Sequence, residues 1–268
     1  MPIKGARMGQ ISRPGAVLTY EEHGDGPLAV YAHGMLGSRA SDARTGLLNW
    51  PSVAERTARR VVAYDARGHG ESTGRAEPAD YLFPALADDL LALLDEVGDG
   101  APAAGVGASM GTATLLHAAL KAPGRFDRLV LTIPPTAWET RPAKAEEYRR
   151  LADVIEQHGV AEGLAKAAEG AEIPEIFRDL NVPPTLPDVA EDLLPSLLRG
   201  AARGDLPAPA DLAALTLPVL ILAWDTDPAH PVSTAERLRE LLPGSTLHVS
   251  RQATDLVSWQ PRIVEFLS

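Results

Sequence analysis

The sequence predicts an α/β protein: a mostly parallel sheet with helices on both faces, plus a helical cap insertion. Three observations predict it. Short, nearly continuous apolar runs recur in "PLAVYAHG" (27–34), "RRVVAYDARG" (59–68) and "LPVLILAWD" (217–225), the pattern of strands buried on both faces. Amphipathic helical stretches alternate with them, and strand–helix alternation at this spacing needs crossover connections. Residues 135–212, lying between two such strands, are helical in pattern and broken by prolines.

Taken in order, "AVLTYEE" (16–22) reads as the first strand, followed by the runs at 27–34 and 59–68. "WPSVAERTARR" (50–60) is an amphipathic helix before the third strand, and "YLFPALADDLLALLDEVG" (81–98) is one after it. In the latter, Leu86, Leu90, Leu93, Leu94 and Val97 form an apolar stripe opposite Asp88, Asp89 and Glu96. "AAGVGAS" (103–109) is a strand, and a helix runs from Met110 to about Ala122. "RLVLTI" (128–133) and, after the insertion, the 217–225 run are strands. "STAERLRELL" (233–242) is a helix, "STLHVS" (245–250) a strand and "SWQPRIVEFLS" (258–268) a closing helix. The reading divides the chain into a core, 1–134 with 213–268, and a helical cap, 135–212. The cap includes "RPAKAEEYRRLADVIEQHG", "IPEIFRDL" and "DVAEDLLPSLLRGAARG".

A chain of 268 residues, 45% hydrophobic, is long enough to bury a full core. Its net charge of −11 repels nucleic acid phosphates and anionic lipid, so neither is expected as a partner. The absence of cysteine removes disulfides, thiol nucleophiles and cysteine-ligated zinc together. "MPIKGARMGQ" lacks the apolar run of a signal peptide, and no stretch is long enough to span a membrane. The expectation is a cytoplasmic protein with a small-molecule ligand and no cofactor or metal.

The chemistry concentrates in a few loops. "GVGASMG" (105–111) contains Gly107-Ala108-Ser109-Met110-Gly111, a G-x-S-x-G between a strand and a helix. There the chain turns so sharply that the residues two before and two after the serine must be small, and the hydroxyl stands free above the sheet. The helix N-terminus behind it favours developing negative charge. "AHGMLGS" (32–38) follows a strand and can aim the N–H of Met35 at the serine, with the N–H of Met110 as a second donor. Within "DARGHGES" (65–72), His69, Arg67 and Asp65 read as loop-stabilising groups, with Arg67 and Asp65 able to pair, and His33 as a structural histidine. In "WDTDPAHP" (224–231), Asp225 and Asp227 are both candidate acids at a strand's carboxyl end.

His33-Gly34, "DARGHGES", "GASMG" and "PVLILAWDTDPAHP" occur in an order and spacing that resembles the α/β-hydrolase fold, in its capped form. That form includes small esterases, enol-lactonases and cofactor-free haloperoxidases. The resemblance implies Ser109 as nucleophile, Met35 and Met110 as oxyanion donors, and Asp227 as the triad acid. It also implies action on a small ester, lactone or related carbonyl compound. Trp224 stands where that motif normally has a small residue. A larger departure follows the last strand, where the family places Gly-His and this chain has Thr254-Asp255. A carboxylate, with a pKa of about 3.9, is a poor base toward a serine hydroxyl.

Four accounts of Asp255 remain open at the level of sequence. A substitute histidine is supplied elsewhere, and of His230, His248, His117 and His158 the first is best placed, three residues beyond Asp227. Alternatively, Asp227 and Asp255 face each other near Ser109 and one pKa is raised, giving lyase, isomerase or decarboxylase chemistry. In the third account the pocket binds a ligand without turning it over. In the fourth, position 255 is not the equivalent position at all.

Overall fold

The computed structural model describes residues 6–169, 175–177 and 186–268. Eight strands form one sheet in the order β1-β2-β4-β3-β5-β6-β7-β8. They are β1 (Arg7–Arg13), β2 (Ala16–His23), β3 (Leu28–Ala32), β4 (Arg60–Tyr64), β5 (Ala103–Ala108), β6 (Phe126–Thr132), β7 (Val219–Trp224) and β8 (Ser245–Ser250). β2 pairs antiparallel with β1 and with β4, and the remaining pairings are parallel. The helices are α1 (Arg39–Thr45), α2 (Trp50–Thr57), α3 (Phe83–Val97), α4 (Met110–Lys121), α5 (Arg141–His158), α6 (Val160–Ala168), α7 (Leu194–Ala201), α8 (Pro209–Leu212), α9 (Val232–Leu241), α10 (Ala253–Leu256) and α11 (Trp259–Leu267).

The strands alternate between two cores, although their sequences read as unbroken apolar runs. Leu28, Val30, Ala32, Val62 and Tyr64 join one core with the leucines of α3 and α4 and Leu238 of α9. Ala29, Tyr31, Val61 and Ala63 join the other, with Trp50 and Val53 of α2 and Trp259 and Ile263 of α11. Each sheet face is thereby covered by helices, which is what lets parallel strands be apolar throughout. The connection from β6 to β7 holds α5–α8 and, among the described residues, no strand, only an isolated bridge from Val189 to His69. Of "IPEIFRDL", only Glu175–Phe177 falls within the described residues, as a short 3-10 turn.

Two elements depart from the sequence reading. The apolar stripe of α3 is buried, but so is Asp89, which the reading had placed on the polar face. Its carboxylate accepts from Arg67 Nε (2.6 Å), Arg67 Nη2 (2.7 Å) and Arg13 Nε (2.9 Å). A buried charge is tolerated when its oxygens are filled in this way. Arg67 accordingly does not pair with Asp65. Asp65 instead holds the backbone N–H (2.9 Å) and Nε (3.1 Å) of Arg39 and the N–H of Glu71 (3.0 Å). The 65–72 loop is thus a closed polar knot.

The first turn of α4 comes against β3 because Gly111 has no side chain. A Cβ there would lie 2.0 Å from the Ala32 carbonyl oxygen, and one at Gly107 would lie 2.5 Å from that of Gly111. Both obstacles are main chain and cannot rotate away. Gly111→Ala is expected to lower stability by about 1–3 kcal/mol or more, the usual cost of overpacking, read as a fall in urea midpoint. An unchanged midpoint would mean that the turn relaxes freely.

Candidate active site

Ser109 caps α4 from the end of β5 with φ 50° and ψ −106°. A non-glycine residue in this region is strained by about 1–3 kcal/mol and persists only when its surroundings hold it. Here the Ser109 N–H donates to the Thr132 carbonyl (3.0 Å), and its own carbonyl accepts from the N–H of Thr112 (2.9 Å). The buried hydroxyls of Thr112 and Thr132 both donate to the Gly107 carbonyl, at 3.1 and 3.2 Å. Gly34 lies close by, where an added Cβ would meet Ser109 Cβ at 3.6 Å. Main chain and two threonines therefore hold the serine out of the helix.

His230 Nε2 lies 2.9 Å from Ser109 Oγ, and His230 Nδ1 lies 2.7 Å from Asp227 Oδ2. Acid and imidazole come from one turn after β7, closed by the His230 N–H donating to the Asp227 carbonyl (3.1 Å). The turn is pinned from both sides: the Thr136 N–H donates to the Ala229 carbonyl (3.1 Å) and the Asp225 N–H to that of Ser250 (2.9 Å). Asp227 Oδ1 accepts from the Ala229 N–H (2.9 Å) and Oδ2 also from the Trp224 indole (2.9 Å). Burial pushes the Asp227 carboxyl upward, but the His230, Trp224 and Ala229 donors outweigh it and draw it down to about 2. An ionised carboxylate only accepts, so His230 Nδ1 carries the proton. In the neutral imidazole this leaves the Nε2 lone pair facing the serine hydroxyl.

Linkage gives this depression a sign. A carboxylate held at about 2, against an ordinary 3.8, adds stability that is fully present above the unfolded value. That contribution is lost as pH falls through the folded value. The urea midpoints of wild type and Asp227→Asn should therefore differ at pH 5 and converge toward pH 2. A constant difference would show a carboxyl that titrates normally.

The other sequence candidates lie elsewhere. Asp255 does not face Asp227. Its Oδ2 accepts from the N–H groups of Arg251 (2.9 Å) and Gln252 (3.0 Å), which hold the carboxyl below its usual range. The cause is local, since Asp255 is the third residue of the four-residue α10 and its side chain turns back to cap the helix start at Gln252. A raised-pKa carboxylate pair at the site is thus absent. Asp225 lies 3.5 Å from Arg251 in partial exposure. His117 Nε2 binds the Asp205 carbonyl (2.9 Å), and exposed His158 lies 3.9 Å from Glu162. His248 Nε2 is buried and, among the described residues, without a partner. His33 accepts the Ala66 N–H at Nε2 (2.9 Å), and burial beside His33 pushes His69 down to about 3.

Of the two expected main-chain donors, Met35 follows Gly34, which lies beside Ser109, and Met110 follows Ser109 as the first residue of α4. The Met35 loop is braced by the β6–β7 connection. The Asp188 N–H donates to the Leu36 carbonyl (2.8 Å), and Asp188 Oδ2 accepts from Ser38 Oγ (2.6 Å). Of the three aromatic residues of that connection, Phe177 makes an edge contact with Trp224 (4.9 Å). Trp138 donates to the Pro207 carbonyl (3.0 Å) and Tyr148 packs on Arg141. Sequence reasoning missed Thr112, Thr132 and the indole of Trp224. Only Trp224 left a signal, as an oversized residue in its motif. No cluster of metal-ligating side chains occurs among the described residues, and no helix among them is long and apolar enough to cross a membrane.

Comparison with known proteins follows the same lines. Residues 27–158 match the family described as alpha/beta hydrolase fold. A 3-oxoadipate enol-lactonase 2 of Acinetobacter baylyi is 31% identical over 198 residues, covering 70% of this chain and 69% of the relative. A thermophilic esterase from Thermogutta terrifontis superposes with a TM-score of 0.76 at 22% identity, covering 98% of this chain and 97% of that one. A hydrolase from Pseudomonas aeruginosa gives 0.77 at 24% identity, covering 97% and 98%.

Proposed function

The chain belongs to the α/β-hydrolase superfamily, and from that premise we propose that it is a serine hydrolase of small carboxylic esters or lactones. Its triad is Ser109, His230 and Asp227. The observation that carries this reading is the unbroken line of hydrogen bonds from Asp227 through His230 to the Ser109 hydroxyl. Ser109 Oγ attacks the carbonyl carbon while His230 Nε2 takes its proton. The resulting oxyanion is received by the N–H groups of Met35 and Met110. As the intermediate collapses, His230 returns the proton to the leaving alkoxide; in a lactone that group stays tethered to the acyl chain. A water then repeats the sequence and frees the acid. Asp227 remains charged throughout, holding the tautomer and steadying the imidazolium. The described residues of the 135–212 insertion form the cap over this site, and the names of the lactonase and esterase relatives support the substrate class.

A fluorophosphonate tests the assignment directly. The expected result is one phosphonyl adduct on the Ser109 peptide by mass spectrometry and loss of p-nitrophenyl acetate hydrolysis in proportion. Full labelling elsewhere, or activity surviving full labelling of Ser109, would overturn it.

A further inference from the structure

Trp224 ends β7 at the place where the related motif carries a small residue, and its ring is fixed on several sides. It stacks on Trp259 at 5.3 Å and 17°, and Phe177 meets it edge-on. Trp259 is buried and anchored in turn by its own indole, which donates to the buried Ser250 Oγ at 2.8 Å. The Trp224 Nε1–H therefore points in a direction set by strand and ring packing. That direction ends on Asp227 Oδ2, the same oxygen that receives His230 Nδ1–H.

This placement answers a geometric need. When acid and base come from one turn, the chain fixes their Cα atoms but leaves two torsions free in each side chain. The Ala229 N–H holds Oδ1 alone, and one bond leaves the carboxylate plane free to swing about it. A second, rigid donor on Oδ2 stops that rotation, and the imidazole bonded to Oδ2 is held with it. Catalytic groups need to lie within about 0.5 Å and 10–20° of the productive arrangement.

We propose that Trp224 is a positioning residue for the Asp227–His230 pair: its indole N–H locks the carboxylate so that a histidine three residues away reaches Ser109. The inference rests on the triad reading above. The locking bond forms in ground state and transition state alike, so its loss acts on the competent fraction of enzyme and not on substrate contacts.

The test uses the full chain and p-nitrophenyl acetate. Trp224→Phe keeps a stacking ring and removes the donor. Expected is a fall in kcat of about 10- to 100-fold, the size of a hydrogen bond to a charged group expressed as rate, with KM within about twofold. In an Asp227→Asn background the same substitution should cost little more, because the carboxylate it orients has gone. An unchanged kcat, or an equal loss in both backgrounds, overturns the proposal. Should Trp224→Phe fail to fold, the indole N–H proton resonance of Trp224 decides. It should move upfield in Asp227→Ala relative to wild type, and an unmoved resonance overturns the proposal. Ser109→Ala, run alongside, separates the two readings. If it keeps the wild-type rate, the triad itself is wrong. If it is inactive while Trp224→Phe is unaffected, only the positioning role falls.

Discussion

His230→Ala should lower kcat for p-nitrophenyl acetate by about 10⁴- to 10⁶-fold, the range seen when one member of a working triad is removed. In the proposed mechanism the imidazole both takes the serine proton and returns it to the leaving group. Among the described residues no other histidine hydrogen-bonds the Ser109 hydroxyl; His117 and His158 have partners elsewhere, and His248 Nε2 is buried. Asp255→Ala should leave kcat within about twofold, because its carboxylate serves only the N–H groups of Arg251 and Gln252. The paired substitutions decide which residue took over the base position. Steady-state rates in a variant whose circular dichroism matches wild type are sufficient. A His230→Ala enzyme with near-normal kcat, or an Asp255→Ala enzyme without activity, would reverse the assignment.

Ser109→Ala should cost about as much as His230→Ala, and the double variant should be no slower than either alone. The reason is that the two act as one unit: an imidazole with no hydroxyl to deprotonate does nothing, and neither does a hydroxyl with no acceptor. The residual rate over water should come from the Met35 and Met110 N–H groups and from substrate binding, which both substitutions leave in place. Alanine and serine both carry a Cβ and meet the same strain at φ 50°, and the Thr112 and Thr132 bonds that hold the elbow do not involve the Ser109 side chain. Additive losses in the double variant would show that serine and histidine work independently.

Local signals account for most of what the sequence revealed. The parallel strands were legible because continuous apolar runs ended in Gly or Pro, and the elbow because Gly107 and Gly111 answer a main-chain collision that only glycine avoids. β1 was not legible: RMGQISR buries only Ile11 and lies at the sheet edge. Neither was α1, whose seven residues carry no apolar stripe and are held by the Ser38 box and Gly46 at φ 70°. At the site, the position of Ser109 follows from neighbouring residues. Whether His230 turns toward Ser109 does not. That depends on Thr136 and Ser250, distant in sequence, closing the 225–230 loop from either side. Asp89 escaped for the same reason, since its partners Arg13 and Arg67 are set by folding and not by helix periodicity.

Gathering acid and imidazole into one short turn leaves the Asp227–His230–Ser109 array with a single long dimension, the span from the end of β5 across β6 to the end of β7. That span is two inter-strand spacings, about 4.8 Å each, and it is ruled by the ladder bonds of three central strands, among the stiffest distances a protein possesses. The alignment of hydroxyl and imidazole thereby inherits the rigidity of the sheet.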